Sequence, residues 1–304
     1  MPSRVWVPLV WCAGSLGVAF AFGVPTSHDL VFLWVASGVA AFCVTDLRRR
    51  VPSFITDWLP FMAILFVYDR LRGIADGLLF PTHTFPQIHV EAALFGTPIP
   101  TVWLQDHLWH GGAHVHWWDY VAWFIYLTHF FVTLAVAGVL WVKFHDRFAR
   151  FATMVCVLAA TGFATYVLYP AVPPWLAARG GHVGEANRVI GVVWPKVPLA
   201  HYGSLFEKGQ SYANNVAAMP SLHGAYAMLI ALYLWRVVPR WTRPLLALYP
   251  VAMGFALVYT GEHYAVDVLA GWVYAAAAFV GVNRYFAWRD SRVPAYEPAP
   301  AYVD

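Results

Sequence analysis

The sequence predicts an all-α bundle of about eight membrane helices, and three observations carry that prediction. Of the 304 residues, 60% are hydrophobic and only 12% are charged, against about 25% charged in ordinary soluble domains. Apolar runs recur at lengths near the roughly 20 residues that span a bilayer. Tryptophan and tyrosine number 16 each, and both collect at membrane–water interfaces because each ring has an apolar body and a polar edge.

The elements follow in order. The first run, 5–22, begins after Arg4 and is read as a retained helix, since no small-residue cleavage site follows it. The next are 30–44 and 54–68, the latter interrupted by Asp57 and Pro60. Then come 120–142, 151–169, 222–238, 245–260 and 264–282, the last two so close that only a tight bend joins them. The expected organisation is one integral membrane domain over 1–304. It comprises an N-terminal helix pair (1–53), a catalytic core (54–284) with outer loops 69–118 and 170–219, and a Pro/Tyr-rich tail (285–304). Cys12, Cys43 and Cys156 fall inside apolar runs and read as buried thiols, with no disulfide framework and no thiolate metal site.

Short-loop Lys and Arg set the orientation. With the N-terminus inside, the inner segments hold Arg4, Arg48, Arg49, Arg50, Lys143, Arg147, Arg150, Arg236, Arg240, Arg243, Arg284, Arg289 and Arg292, which is 13 of the 19 basic residues. The other six, Arg70, Arg72, Arg179, Arg188, Lys196 and Lys208, are spread over two long outer loops. An even number of helices returns the C-terminus inside, so the expected location is the cytoplasmic membrane with both termini cytoplasmic. No basic tract reads as nucleic-acid binding. The first outer loop carries amphipathic stretches such as 101–109, expected on the bilayer surface. The second is Gly/Pro-rich and reads as a lid or substrate-binding element.

Three motifs emerge on the outer side: Tyr169–Trp175 (YPAVPPW), Ala218–His223 (AMPSLH) and Gly261–Asp267 (GEHYAVD). His263 and Asp267 are four apart and share a helix face. Asp267 as acceptor from one ring nitrogen would leave the other free to attack, and its charge would stabilise a phosphohistidine. A structural His–Asp pair tying two helices is the alternative. Pro220 and Ser221 suit a helix start, where free N–H groups favour phosphate. His223 in that first turn can hold a phosphate oxygen or protonate a leaving group; a plain capped helix is the alternative. Glu262 can bind an acceptor hydroxyl, act as a base, or cap the next helix. His107, His110, His114 and His116 lie near Asp106 in the first outer loop, but Gly111 and Gly112 interrupt the helical zinc spacing, and no metal is expected.

This pattern resembles the phosphatidic acid phosphatase type 2 superfamily, and within it the inositol phosphorylceramide synthase and sphingomyelin synthase-like branch. Pro220, Ser221, Leu222 and His223 stand where the broad family has P-S-G-H, and His263 to Asp267 matches its H-x-x-x-D. The resemblance covers about 169–272, with a weaker likeness through 57–60 and 68–73. It implies a six-helix catalytic core, His263 as nucleophile, Asp267 as its orienter and His223 as general acid. It departs from the broad family in two places. The segment 169–175 has no basic residue, and Ala256 and Leu257 stand where a Ser-Arg pair is usual.

Developing phosphoryl charge still requires a cation. The candidates are Arg72, Arg188, Lys196 and Lys208, with Arg72 favoured because Tyr68, Asp69 and Arg72 end an outer helix. Tyr169 and Ser221 complete the expected substrate-facing set. The function read from this is phosphoryl transfer on a bilayer lipid without cofactor, favouring head-group transfer to an alcohol over hydrolysis by water. A non-catalytic lipid-binding or lipid-transport protein is the reading from another class.

Overall fold

The computed structural model describes residues 3–22, 28–72, 80–197 and 214–292. Its α-helices, in chain order, are α1 (Ser3–Phe22), α2 (His28–Phe42), α3 (Leu47–Arg72), α4 (Phe85–Phe95), α5 (Pro100–Leu108), α6 (Trp117–Lys143), α7 (His145–Leu168), α8 (Pro174–Arg179), α9 (Val189–Val193), α10 (Leu222–Leu234), α11 (Arg243–Tyr259) and α12 (Ala265–Ser291). Among the described residues there is no β-strand. Helices α3, α6, α7, α11 and α12 are long and apolar enough to cross a membrane, and α1, α2 and α10 are shorter apolar helices. The fold is a polytopic helical bundle, as the apolar runs predict.

The run broken by Asp57 and Pro60 is a continuous helix. It begins earlier than its hydrophobicity suggests, at Leu47, and passes through Pro52 and Pro60. Membrane helices tolerate proline when neighbours compensate the lost backbone bond. Asp57 is tolerated because it is partnered: its Oδ2 accepts from Trp141 Nε1 at 2.8 Å and from Ser53 at 3.2 Å, and it lies 3.4 Å from His145 Nε2. Trp58, one residue on, is fully buried between α3 and α7.

Among the described residues the bundle holds two large apolar cores and a smaller cluster of Ile99, Val102, Tyr264 and Val266. One joins α3, α7, α10 and α12 around Trp58, Phe151, Leu158 and Leu229; the other joins α6, α9 and α11 around Trp123, Val189, Met253 and Leu257. Leu33, Leu59, Val139, Leu168 and Val273 point outward, where a bilayer covers them. This corrects one expectation. Cys43 is buried and Cys156 partly so, but Cys12 is exposed on α1, because a run can be apolar for lipid as well as for a protein core.

The segment between α3 and α6 turns apolar side chains outward and several polar ones inward. Helix α4 exposes Phe85, Val90, Leu94 and Phe95 and buries Gln87 and Glu91, while α5 exposes Trp103 and buries Thr101 and Gln105. Apolar faces outward suit a membrane surface, and the polar groups turned inward become structural. Backbone pairing then ties three distant segments together. His83 N–H donates to Pro170 O at 2.8 Å, Val172 N–H to His83 O at 2.9 Å, Ala171 N–H to Val216 O at 2.6 Å and Ala218 N–H to Ala171 O at 3.2 Å. That ladder ends at Ala218, beside the second motif.

Candidate active site

The second and third motifs are joined through their backbones. Ser221 precedes α10, and its hydroxyl caps the helix by accepting from Gly224 N–H at 3.2 Å. Its own N–H donates to the Asp267 carbonyl at 2.9 Å. Helices α10 and α12 approach so closely there that a Cβ on Gly271 would lie 2.3 Å from Ser221 O. Between α11 and α12 the chain turns at Gly261, with φ +77°, where a Cβ would meet Asn187 O at 2.6 Å. Only glycine satisfies both the left-handed backbone and that contact.

This framework seats His263, which is 5% exposed. Its Nδ1 lies 2.8 Å from the Ala218 carbonyl. A carbonyl only accepts, so Nδ1 carries the proton and the lone pair of the neutral ring is on Nε2. Nε2 faces His223 Nδ1 at 3.4 Å. The expected direct bond from His263 to Asp267 gives way to this carbonyl, with Asp267 Oδ2 farther off at 3.8 Å. The reason is local: Asp267 occupies the first turn of α12, where Oδ2 accepts the Tyr264 N–H at 2.9 Å. Its carboxyl group is fully buried beside the imidazole.

His223 stacks on Tyr126 at 5.0 Å between ring centroids and lies 3.9 Å from the His129 ring. Across the cleft, Arg188 makes a two-pronged pair with Glu262, Nε to Oε1 at 2.7 Å and Nη2 to Oε2 at 3.1 Å. The guanidinium also covers the Trp175 ring at 5.2 Å. Burial opposes the charge of Arg188, but Glu262 outweighs it and holds the pKa above the ordinary value. Arg188, Glu262, His223, His263, His129 and Tyr126 all line one cleft of about 740 Å³, its open mouth included.

Of the candidate cations whose side chains are described, Arg188 and Lys196, Arg188 is the one that lines the cleft with the histidines. Lys196 turns to the Gly112 carbonyl. Lys208 lies outside the described residues, as do the side chains of Tyr68, Asp69 and Arg72 at the end of α3. Tyr169 stacks on His83 at 4.0 Å, and Ser221 is committed to its cap. In the loop histidine group, His107 Nδ1 meets Trp103 O at 2.7 Å, His110 Nδ1 meets Leu108 O at 3.2 Å and His116 precedes α6, its backbone N–H donating to Asp119. Among the described residues no three His, Cys, Asp or Glu side chains form a group able to hold a metal ion.

Two residues in or behind the cleft escape the motif reading. His129 is a lone histidine inside the apolar α6, and an ionisable residue at that depth is itself a signal. Gln105 carries no such signal. Its Oε1 accepts Asn187 N–H at 2.7 Å, and its Nε2 donates to Asn187 O at 2.9 Å and Tyr259 O at 2.8 Å. It thus holds the residue next to Arg188 against the end of α11.

Comparison with known proteins places the chain in a family. The family model of the PAP2 superfamily matches residues 100–281, a span that contains both histidines, Asp267, Arg188 and Glu262. The chain is 28% identical over 232 residues to a phosphoinositol dihydroceramide synthase of Bacteroides thetaiotaomicron, covering 70% of this chain and 71% of that one. No solved structure matches the chain. Because the family model spans more than half of a helical bundle that carries the motifs in one cleft, the chain belongs to the PAP2 superfamily and is an integral membrane enzyme acting on a lipid phosphate, a lipid phosphotransferase or phosphatase.

Proposed function

We propose that this enzyme moves a phospho-head-group from one lipid to the hydroxyl of another through a phosphohistidine on His263. The observation that carries the reading is the convergence of His263 Nε2, His223 and Arg188 on one cleft. In the first step Nε2 attacks phosphorus, an N–P bond forms, and the P–O bond to the donor lipid breaks. His223 gives its proton to the departing oxygen. In the second step the acceptor hydroxyl attacks phosphorus, the N–P bond breaks, and His223 takes the hydroxyl proton. Both histidines end as they began.

Arg188 takes the place of the basic clamp that the first motif lacks. Its two-pronged grip on Glu262 shows a guanidinium fork already set for an anion, and phosphate oxygens fit the same fork. Phosphate on Arg188 frees the Glu262 carboxylate beside the reacting centre, where it can accept from the incoming hydroxyl. The name of the bacterial relative favours an inositol-phosphate head group and a dihydroceramide acceptor. The distribution of Lys and Arg favours a site on the outer face of the cytoplasmic membrane with both termini inside.

The test is incubation of purified protein in vesicles containing head-group-labelled phosphatidylinositol and a ceramide. Label is expected in a new lipid. Label only in water-soluble inositol phosphate or phosphate overturns head-group transfer in favour of hydrolysis.

A further inference from the structure

The buried wall behind His263 contains an acid that the reaction above does not use. Glu91 lies on α4, outside the spans, and is 0% exposed. Its Oε1 accepts the Val266 N–H at 2.9 Å, between His263 and Asp267 in the chain. Its Oε2 is closed to solvent and has no hydrogen-bond partner among the described residues, and the same holds for Asp267 Oδ1 and the Tyr264 hydroxyl. Three orphaned buried oxygens gathered around one helix start would be costly if Glu91 were charged. A proton on Oε2 resolves this, because it removes the buried charge and turns an orphan acceptor into a donor.

The surroundings agree. From α12 the titratable groups that act on Glu91 are Asp267 and Tyr264; on the α5 side the neighbouring cluster is the apolar Ile99 and Val102. Burial raises the Glu91 pKa, the Val266 N–H lowers it, and the Asp267 charge raises it again, for a net rise to about 7.

We propose that Glu91 is a positioning residue for His263, held as the uncharged acid so that its proton bridges to Asp267 and locks the first turn of α12. The inference rests on the reading of His263 as nucleophile. Above neutrality Glu91 ionises, the bridge is lost, and two carboxylates confront each other in a dry site. Head-group transfer then falls because the imidazole is misplaced.

The test compares native, E91Q and H263A proteins in the labelled vesicles across pH. The glutamine amide accepts from Val266 and donates to Asp267 at every pH. Native activity is expected to fall about tenfold above neutrality, a loss of the size that small misplacements produce, while E91Q keeps neutral activity and lacks that fall. An E91Q profile that superposes on the native one overturns the inference, and so does an E91Q protein that is folded but inactive. Turnover by H263A would instead overturn the nucleophile reading itself.

Thermal stability supplies a second readout that needs no turnover. The folded state retains a proton that a free glutamate releases near 4.5, so this contribution is complete at low pH and is lost as pH rises through about 7. The melting temperature of E91Q should lack that decline, and identical melting profiles overturn the inference.

Discussion

The two walls of the cleft are built differently. His263 is held by main chain: the Ala218 carbonyl at 2.8 Å on its ring, with Asp267 behind it fixed by the Tyr264 N–H at 2.9 Å. Those backbone groups belong to helix starts and to the ladder through Ala171, so the ring sits in a frame of main-chain hydrogen bonds. The opposite wall is side chain against side chain. Arg188 rests on Glu262 and Trp175, and His223 rests on Tyr126 and His129. Such contacts exchange. An ion pair at 2.7 Å can hand its cation to a phosphate, whereas a histidine clamped by a carbonyl cannot change partners. In the proposed mechanism one wall fixes the attacking nitrogen and the other receives and releases charge.

Removing the fixed wall's reactive atom should have the largest effect. His263→Ala is expected to lower turnover by at least about 10³-fold, as loss of a covalent nucleophile does, with KM poorly defined and the melting temperature near native. Acid-labile label on the protein after a single turnover should vanish with it. Labelled H263A protein would break the division of roles between the walls.

Arg188 should come next. Arg188→Ala is expected to reduce kcat about 10²- to 10³-fold, the loss found when one preorganised charge is withdrawn from a transition state. It also leaves Glu262, 9% exposed, without its partner, and uncompensated buried charge destabilises a fold. The double variant R188A/E262Q separates these effects. Its stability should return toward native while its activity stays low. If activity returns too, Arg188 is a structural partner of Glu262 and not the phosphate's cation.

The contrast also explains what was legible in the sequence. The spans were legible because lipid imposes one rule on every outward residue. The bilayer also explains why the proline-containing α3 persists, since Asp57 finds Trp141 and Ser53 only after folding. His223, His263 and Asp267 were legible as motifs, but the contact read from helix spacing was not the one made, because His263 lies in the turn before α12 and pairs with the Ala218 carbonyl. The cation was legible only as one of four candidates, and the side chain of the favoured Arg72 lies outside the described residues. Arg188 lies between α8 and α9, in a connection whose path no local pattern dictates. It reaches the cleft because Val189, Ile190 and Val193 bury against α6 and α11, and because Val189 N–H finds Thr260 O at 3.1 Å. Glu91 and Gln105 were hidden for another reason: each is a polar side chain turned inward from a helix that exposes aromatic residues, Phe85 and Phe95 on α4 and Trp103 on α5.

Gln105 gives the mildest and most discriminating test of the exchangeable wall. It touches neither histidine, yet its amide closes both backbone groups of Asn187 and the Tyr259 carbonyl. Gln105→Leu keeps the volume and removes all three bonds, leaving buried backbone groups unpaired at about 1–3 kcal/mol. The change should loosen residues 187 and 188 and leave His263 where it is. Turnover is therefore expected to fall about tenfold, the order of loss when a supporting residue is removed, through weaker retention of the donor phosphate. Single-turnover labelling of His263 at saturating donor should stay near native, because the attacking nitrogen is held from the other wall. If that labelling step slows in proportion, the two walls are one mechanical unit, and their separation at Gly261, where Asn187 O crowds the turn, does not hold.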